Sequence, residues 1–95
     1  MADPTLLVLA SLADCDKHGY AMMEDIHTFS GVHLGPGTLY GAITRLEERG
    51  WIRPVGAGDQ RQPYTMTASG RAWLEAQVVD LHKIVKVSSV RLRRV

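Results

Sequence analysis

Side chains that can hydrogen-bond to a polyanion or to the edges of base pairs are concentrated in one short stretch. Thr38, Tyr40, Thr44 and Arg45 stand there between the apolar residues Leu39, Ile43 and Leu46. A threonine hydroxyl at position 38 can donate to a phosphate or to a base. Tyr40 is a longer arm that reaches backbone, and Thr44 can meet a base edge or a thymine methyl. Arg45 suits a phosphate, or guanine if it points inward; its alternative is a surface pair with Glu48 or Glu24. Pro36 and Gly37 lie just ahead, where the free N–H groups of a helix start favour an anionic oxygen. Two more groups of donors sit elsewhere in the chain. Arg61 and Gln62 are candidates for a flanking minor groove or backbone. His18 and Tyr20 are candidates for phosphate, with Tyr20 equally readable as a core residue whose hydroxyl stays wet.

Other chemistry finds little support. No nucleophile with an adjacent base and no close carboxylate pair can be assembled, so the expectation is that the chain is not an enzyme. Cys15, His18, His27 and His33 match no zinc spacing, and the glycines at 31, 35 and 37 lack the Gly-Lys-Ser/Thr ending of a phosphate-binding loop. The reading therefore includes no metal and no cofactor.

Elements must hold those donors in place. Leu39, Ile43 and Leu46 recur at steps of four and three, which makes residues 36 to 49 a helix with one buried face. Pro36 suits its first turn, and Gly50 suits the left-handed residue just past its end. Upstream, Asp3-Pro4 reads as an N-cap and first helical residue ahead of a largely buried helix through Leu12. A polar break at Asp14-Cys15-Asp16-Lys17 follows. His18-Gly19-Tyr20 then opens a second helix with Met22, Ile26 and Phe29 on one face, closed by Ser30-Gly31. A short glycine-containing turn joins it to the next helix, as a helix-turn-helix requires.

Downstream, Trp51 to Val55 and Arg61 to Met66 are β-forming stretches around a polar tip, Gly56-Ala57-Gly58-Asp59-Gln60, and together they read as a hairpin. Pro54 and Pro63 each remove a ladder donor, so both strands should be short and the wing small, with a mobile tip. Trp51 should plug the junction between the reading helix and this hairpin. Thr67 is a plausible N-cap for a final helix, in which Leu74, Val78, Leu81, Val85, Ser88, Leu92 and Val95 alternate steps of four and three. That 3.5-residue period predicts a coiled-coil seam and, through it, a homodimer. The alternative is a stripe packed on its own domain. Trp73 is a core residue or part of an interface cavity for a small aromatic effector. The ending Arg91-Leu92-Arg93-Arg94 reads as a solvated helix terminus. The fold class is mainly α with a small β-hairpin: a winged helix-turn-helix over residues 1–66 and a dimerisation helix over 67–95, in one compact unit.

Length and charge set the remaining bounds. At 95 residues the core is small, and oligomerisation would supplement it. The net charge of +1 does not by itself imply nucleic acid, but residues 1 to 34 carry −4, which leaves +5 on the remainder. A single cysteine cannot close an internal disulfide, no apolar run approaches the roughly 20 residues of a membrane span, and a secretory signal is not recognisable. A reducing cytoplasm is the expected compartment.

Leu6 to Leu12, His18-Gly19-Tyr20, Gly37-Thr38-Leu39-Tyr40, Arg45 to Ile52, Arg61 with Tyr64, and Met66 to Arg71 carry a resemblance: in these separated, ordered anchors the chain resembles the PadR family of bacterial transcriptional regulators. The resemblance covers about residues 5 to 75 and departs at Gln62-Pro63, where a basic residue followed by an aromatic one is common. It implies a repressor that dimerises through its C-terminal helix and binds a pseudo-palindromic operator on double-stranded DNA, released by an unknown effector. The rival reading is a winged-helix module that docks on another protein, which the low net charge and the acids Glu47 and Glu48 keep open.

Overall fold

The computed structural model describes residues 3–56 and 61–94. The wing tip Ala57-Gly58-Asp59-Gln60 and the last seam residue Val95 lie outside the described residues. Along the chain come α1 (Pro4–Leu12), β1 (Lys17–His18), α2 (Gly19–Ser30), α3 (Pro36–Glu48), β2 (Ile52–Pro54), β3 (Pro63–Met66) and α4 (Ala68–Leu92). The antiparallel sheet has the order β1-β3-β2. No described helix is long and apolar enough to cross a membrane.

Three helix boundaries form as the sequence dictates. Asp3 caps α1 by accepting from the Thr5 amide at 2.9 Å and the Thr5 hydroxyl at 2.8 Å. Thr67 caps α4 by accepting from the Gly70 amide at 3.1 Å. Gly50, just past α3, adopts φ 74°, a conformation costly for any residue with a Cβ. The core is then a continuous cluster: Leu7, Val8, Leu9 and Leu12 of α1 meet Met22 and Ile26 of α2, Leu39, Ala42, Ile43 and Leu46 of α3, Ile52, and Leu74 of α4. Buried α1 is the centre of this packing, so it fixes α2 and α3 relative to each other.

The structure corrects some expectations and decides between the alternatives left open at Tyr20 and along α4. The polar break before α2 contains a third strand: Lys17 pairs with Tyr64 and His18 with Pro63. Lys17 is held there by donating to the Ser11 carbonyl and the Asp14 carboxylate. Burial, the largest single influence, would lower its pKa, but Asp14 and Cys15 together outweigh it and the net shift is upward. Phe29 is not core, because α2 outlasts the surface it packs on and leaves this side chain 49% exposed. Tyr20 is likewise a surface residue, 61% exposed, since it points away from the Met22–Ile26 face. On α4 Gly70 and Leu74 are buried within the chain, so Leu74, the first residue of the expected seam, belongs to the domain's own core. Val78, Leu81, Val85 and Leu92 are all exposed, so beyond Leu74 these seam residues do not pack on their own domain.

One junction ties the pieces together. The Trp51 carbonyl accepts from the Thr67 amide at 3.0 Å, and the Thr67 hydroxyl donates to the Gly50 carbonyl at 2.7 Å. Trp73 of α4 stacks on Trp51 with ring centroids 4.5 Å apart, and the Arg49 guanidinium lies 5.2 Å from the Trp51 ring. The end of α3, the start of the wing and the start of α4 therefore meet at Trp51, as the sequence leads one to expect. Trp73 is half-buried in that stack, so one face of its ring is already occupied.

Candidate nucleic-acid interface

Burying Leu39, Ala42, Ile43 and Leu46 turns the opposite side of α3 outward. The outermost line runs Gly37, Gly41, Thr44, Glu48, at steps of four, three and four. Tyr40 flanks it on one side, Thr38 and Arg45 on the other, and all three are exposed. Two glycines on the leading line present bare backbone, which lets a partner surface come close. Gly35 makes no side-chain cap at the start of the helix.

Each donor has a defined state. Thr44 donates its hydroxyl to the Tyr40 carbonyl at 2.9 Å, so outward it offers a methyl and an acceptor lone pair. Arg45 forms no ion pair among the described residues; the alternative surface pairing with Glu48 or Glu24 is absent there. Its guanidinium folds back beside Gly41, where Nη1 stands 3.8 Å from where a Cβ would be. Glu48 is an outward residue that the sequence reading did not place. Its position on the leading line becomes visible once Ala42 is seen to share the buried face.

A second group of donors meets where α2, α3 and the wing converge. His18, Gly19, Tyr20, Tyr40, Arg61, Gln62 and Tyr64 line a cleft of about 260 Å³. His18 caps α2, its Nδ1 accepting from the Ala21 amide at 3.3 Å, which leaves Nε2 as the ring's donor. Burial, then the charge of Glu47 and the neighbouring Tyr40, raise the Tyr64 pKa, so its phenol keeps its proton. Gln62 is different from the expectation. Its amide nitrogen donates to the Val55 carbonyl at 2.8 Å and the Pro63 carbonyl at 3.0 Å, closing the wing rather than facing out. Nothing in the local spacing of Gly19 and Tyr64 marks them as site residues; the pairing of β1 with β3 brings them beside Tyr40.

On the far side of α2, the His27 and His33 rings meet edge-on at 4.8 Å near the α2–α3 turn. They border a wider concavity lined mainly by Tyr20, Met23, Leu34 and Pro36. Neither lies on the outward face of α3.

A helix-turn-helix with an outward-facing second helix, followed at once by a small antiparallel wing, defines a winged helix-turn-helix protein. Residues 8–76 match the transcriptional regulator PadR-like family, and the chain belongs to that family. It is similar to an uncharacterized 37.1 kDa protein in transposon Tn4556 of Streptomyces fradiae, 41% identical over 82 residues. That match takes in 86% of this chain and 24% of the relative, so the chain spans about a quarter of that protein's length. Among solved structures, a PadR family transcription regulator from hypervirulent Clostridium difficile superposes with TM-score 0.84 at 26% identity, covering 96% of this chain and 99% of the other. A PadR-like transcriptional regulator from Bacillus cereus gives TM-score 0.82 at 15% identity, over 93% and 89% of the two chains, a likeness of fold alone.

Proposed function

We propose that this chain is a DNA-binding transcriptional repressor that acts as a homodimer on a pseudo-palindromic operator. The observation that carries the reading is the outward face of α3, which is bare of apolar bulk and flanked by Thr38, Tyr40 and Arg45. In this reading Thr38, Thr44 and Arg45 face the major groove, with Pro36 and Gly37 admitting the helix start close to the backbone. Arg61 and His18, which line one cleft beside α3, hold the phosphate backbone, and Gln62 acts indirectly by keeping the wing closed.

The dimer is the second half of the proposal. Val78, Leu81, Val85 and Leu92 are exposed on the long helix α4 of a molecule whose extents are 55, 26 and 20 Å. Pairing two such stripes removes them from water, at about 25 cal/mol for each Å² of apolar surface covered. A two-fold pair would set its reading helices about one DNA turn, roughly 34 Å, apart. Release by an effector would act at the Trp51–Trp73 stack, since a change in the path of α4 there moves the end of α3.

Fluorescence anisotropy with duplex DNA from upstream of the gene, at two salt concentrations, tests this reading. Binding that weakens steeply with salt is expected from counterion release. Binding to no duplex at either salt would leave the protein-docking module as the better account. A systematic search in which no candidate effector changes affinity would remove the release step alone.

A further inference from the structure

Gly19 opens α2 beneath the ring of Tyr40, and nothing in helix chemistry asks for glycine there. A Cβ built on Gly19 would overlap the Tyr40 hydroxyl and stand 2.8 Å from its Cζ and 3.1 Å from Cε1. Real Cβ atoms essentially never come within 3.0 Å of another heavy atom. The phenol therefore lies down on the first turn of α2 only because position 19 has no side chain. In doing so it becomes one wall of the cleft whose other polar walls are His18, Tyr20, Arg61, Gln62 and Tyr64. Those walls come from α2, α3 and the wing strand, so the donors converge only in the folded protein. Arg61 supplies a fixed positive charge. His18 supplies an Nε2 donor because its Nδ1 is occupied by the cap. The tyrosines supply hydroxyls. Among the described residues, none that lines the cleft carries a carboxylate.

We propose that Gly19 is the positioning residue of a DNA-backbone seat: its missing Cβ lets Tyr40 settle on α2 and close a cleft in which His18, Tyr40, Arg61 and Tyr64 grip one phosphodiester. This rests on the DNA-binding reading above and deepens it. The seat reads no bases. It fixes how far the wing and the reading helix stand from the same strand, and so sets the register of α3 in the groove.

A double-mutant cycle on DNA affinity tests it, with Gly19→Ala, Tyr40→Ala and the double variant measured on upstream and random duplexes. Gly19→Ala is expected to weaken both duplexes alike, by roughly tenfold, the size of a lost hydrogen bond to a charged group. The double variant should bind no worse than Tyr40→Ala, because the methyl added at position 19 acts through Tyr40. Wild-type affinity in Gly19→Ala, or losses that simply add, would overturn the proposal. Thermal unfolding checks that each variant folds. If Gly19→Ala does not, Tyr40→Phe and Arg61→Ala carry the test: each should weaken both duplexes equally, and wild-type binding by both overturns the seat. Failure of the wild-type chain to bind any duplex would overturn the DNA reading itself, whereas a binding wild type with indifferent variants overturns the seat alone.

Discussion

At Gly70, helix propensity and packing ask for opposite residues. Alanine is about 1 kcal/mol better than glycine inside a helix. Here a Cβ would overlap the Trp51 carbonyl oxygen and stand 2.9 Å from its carbon, and backbone atoms cannot swing aside. Overpacking costs about 1–3 kcal/mol, and an overlap with rigid backbone belongs in the upper part of that range, about 2–3 kcal/mol, which outweighs the gain in propensity. Gly70→Ala should therefore lower stability by about 1–2 kcal/mol, a drop in Tm of very roughly 4–16 °C for a domain of this size. Thermal unfolding followed by circular dichroism checks it, and a variant as stable as its parent would show that α4 can shift off Trp51. Asp3 gives a prediction with a pH signature. The Thr5 amide and hydroxyl, and more weakly Arg45 and Arg49, hold its carboxyl below the ordinary value of 3.8. Its folded pKa is depressed, so its contribution is complete above that value and fades as pH falls through the folded one. Asp3→Ala should cost about 1 kcal/mol at neutral pH, and the gap from the parent should close in acid. At the interface, Thr38→Ala is expected to relax preference between upstream and random DNA. Arg61→Ala should weaken both alike and reduce the slope of log affinity against log salt by about 0.9.

Elements whose ends carry a chemical signal were legible in the sequence. Asp3-Pro4, Pro36, Gly50 and Thr67 mark boundaries by capping and backbone freedom, and all four act that way in the fold. The outward donors of α3 followed from the spacing of Leu39, Ile43 and Leu46. What stayed hidden depends on distant pairing. β1 is two residues long and has no alternation to detect; Lys17 and His18 are a strand only because β3 lies beside them. Phe29 keeps the helical period but falls past the edge of the core, and period alone does not say where a neighbour ends. Gln62 resembled a DNA donor until the position of Val55 showed where its amide goes. The seam of α4 yields the prediction at this scale. Val85, 58% exposed, sits mid-seam. Val85→Glu would bring two carboxylates to the proposed two-fold axis, so sedimentation at micromolar concentration should show monomers for the variant and dimers for the parent. A monomeric parent would remove the dimer from the account while leaving α3 untouched.

For the molecule as a whole, two surfaces that the fold leaves uncovered carry the account. One is polar and narrow, the outer side of α3; the other is apolar and long, the seam of α4. They are joined through Trp51, where Thr67, Gly50 and Trp73 tie the start of α4 to the end of α3, so a pairing of the long surfaces fixes the separation of the narrow ones. The family to which the chain belongs accounts for the class of activity, and the geometry accounts for how two copies would deliver it. Hydroxyl-radical footprinting on upstream DNA tests this most directly. The account predicts two protected patches on one face of the duplex, centred about one helical turn apart, both lost together in a Tyr40→Ala, Thr44→Ala double variant. A single patch, or protection that survives those substitutions, would contradict it.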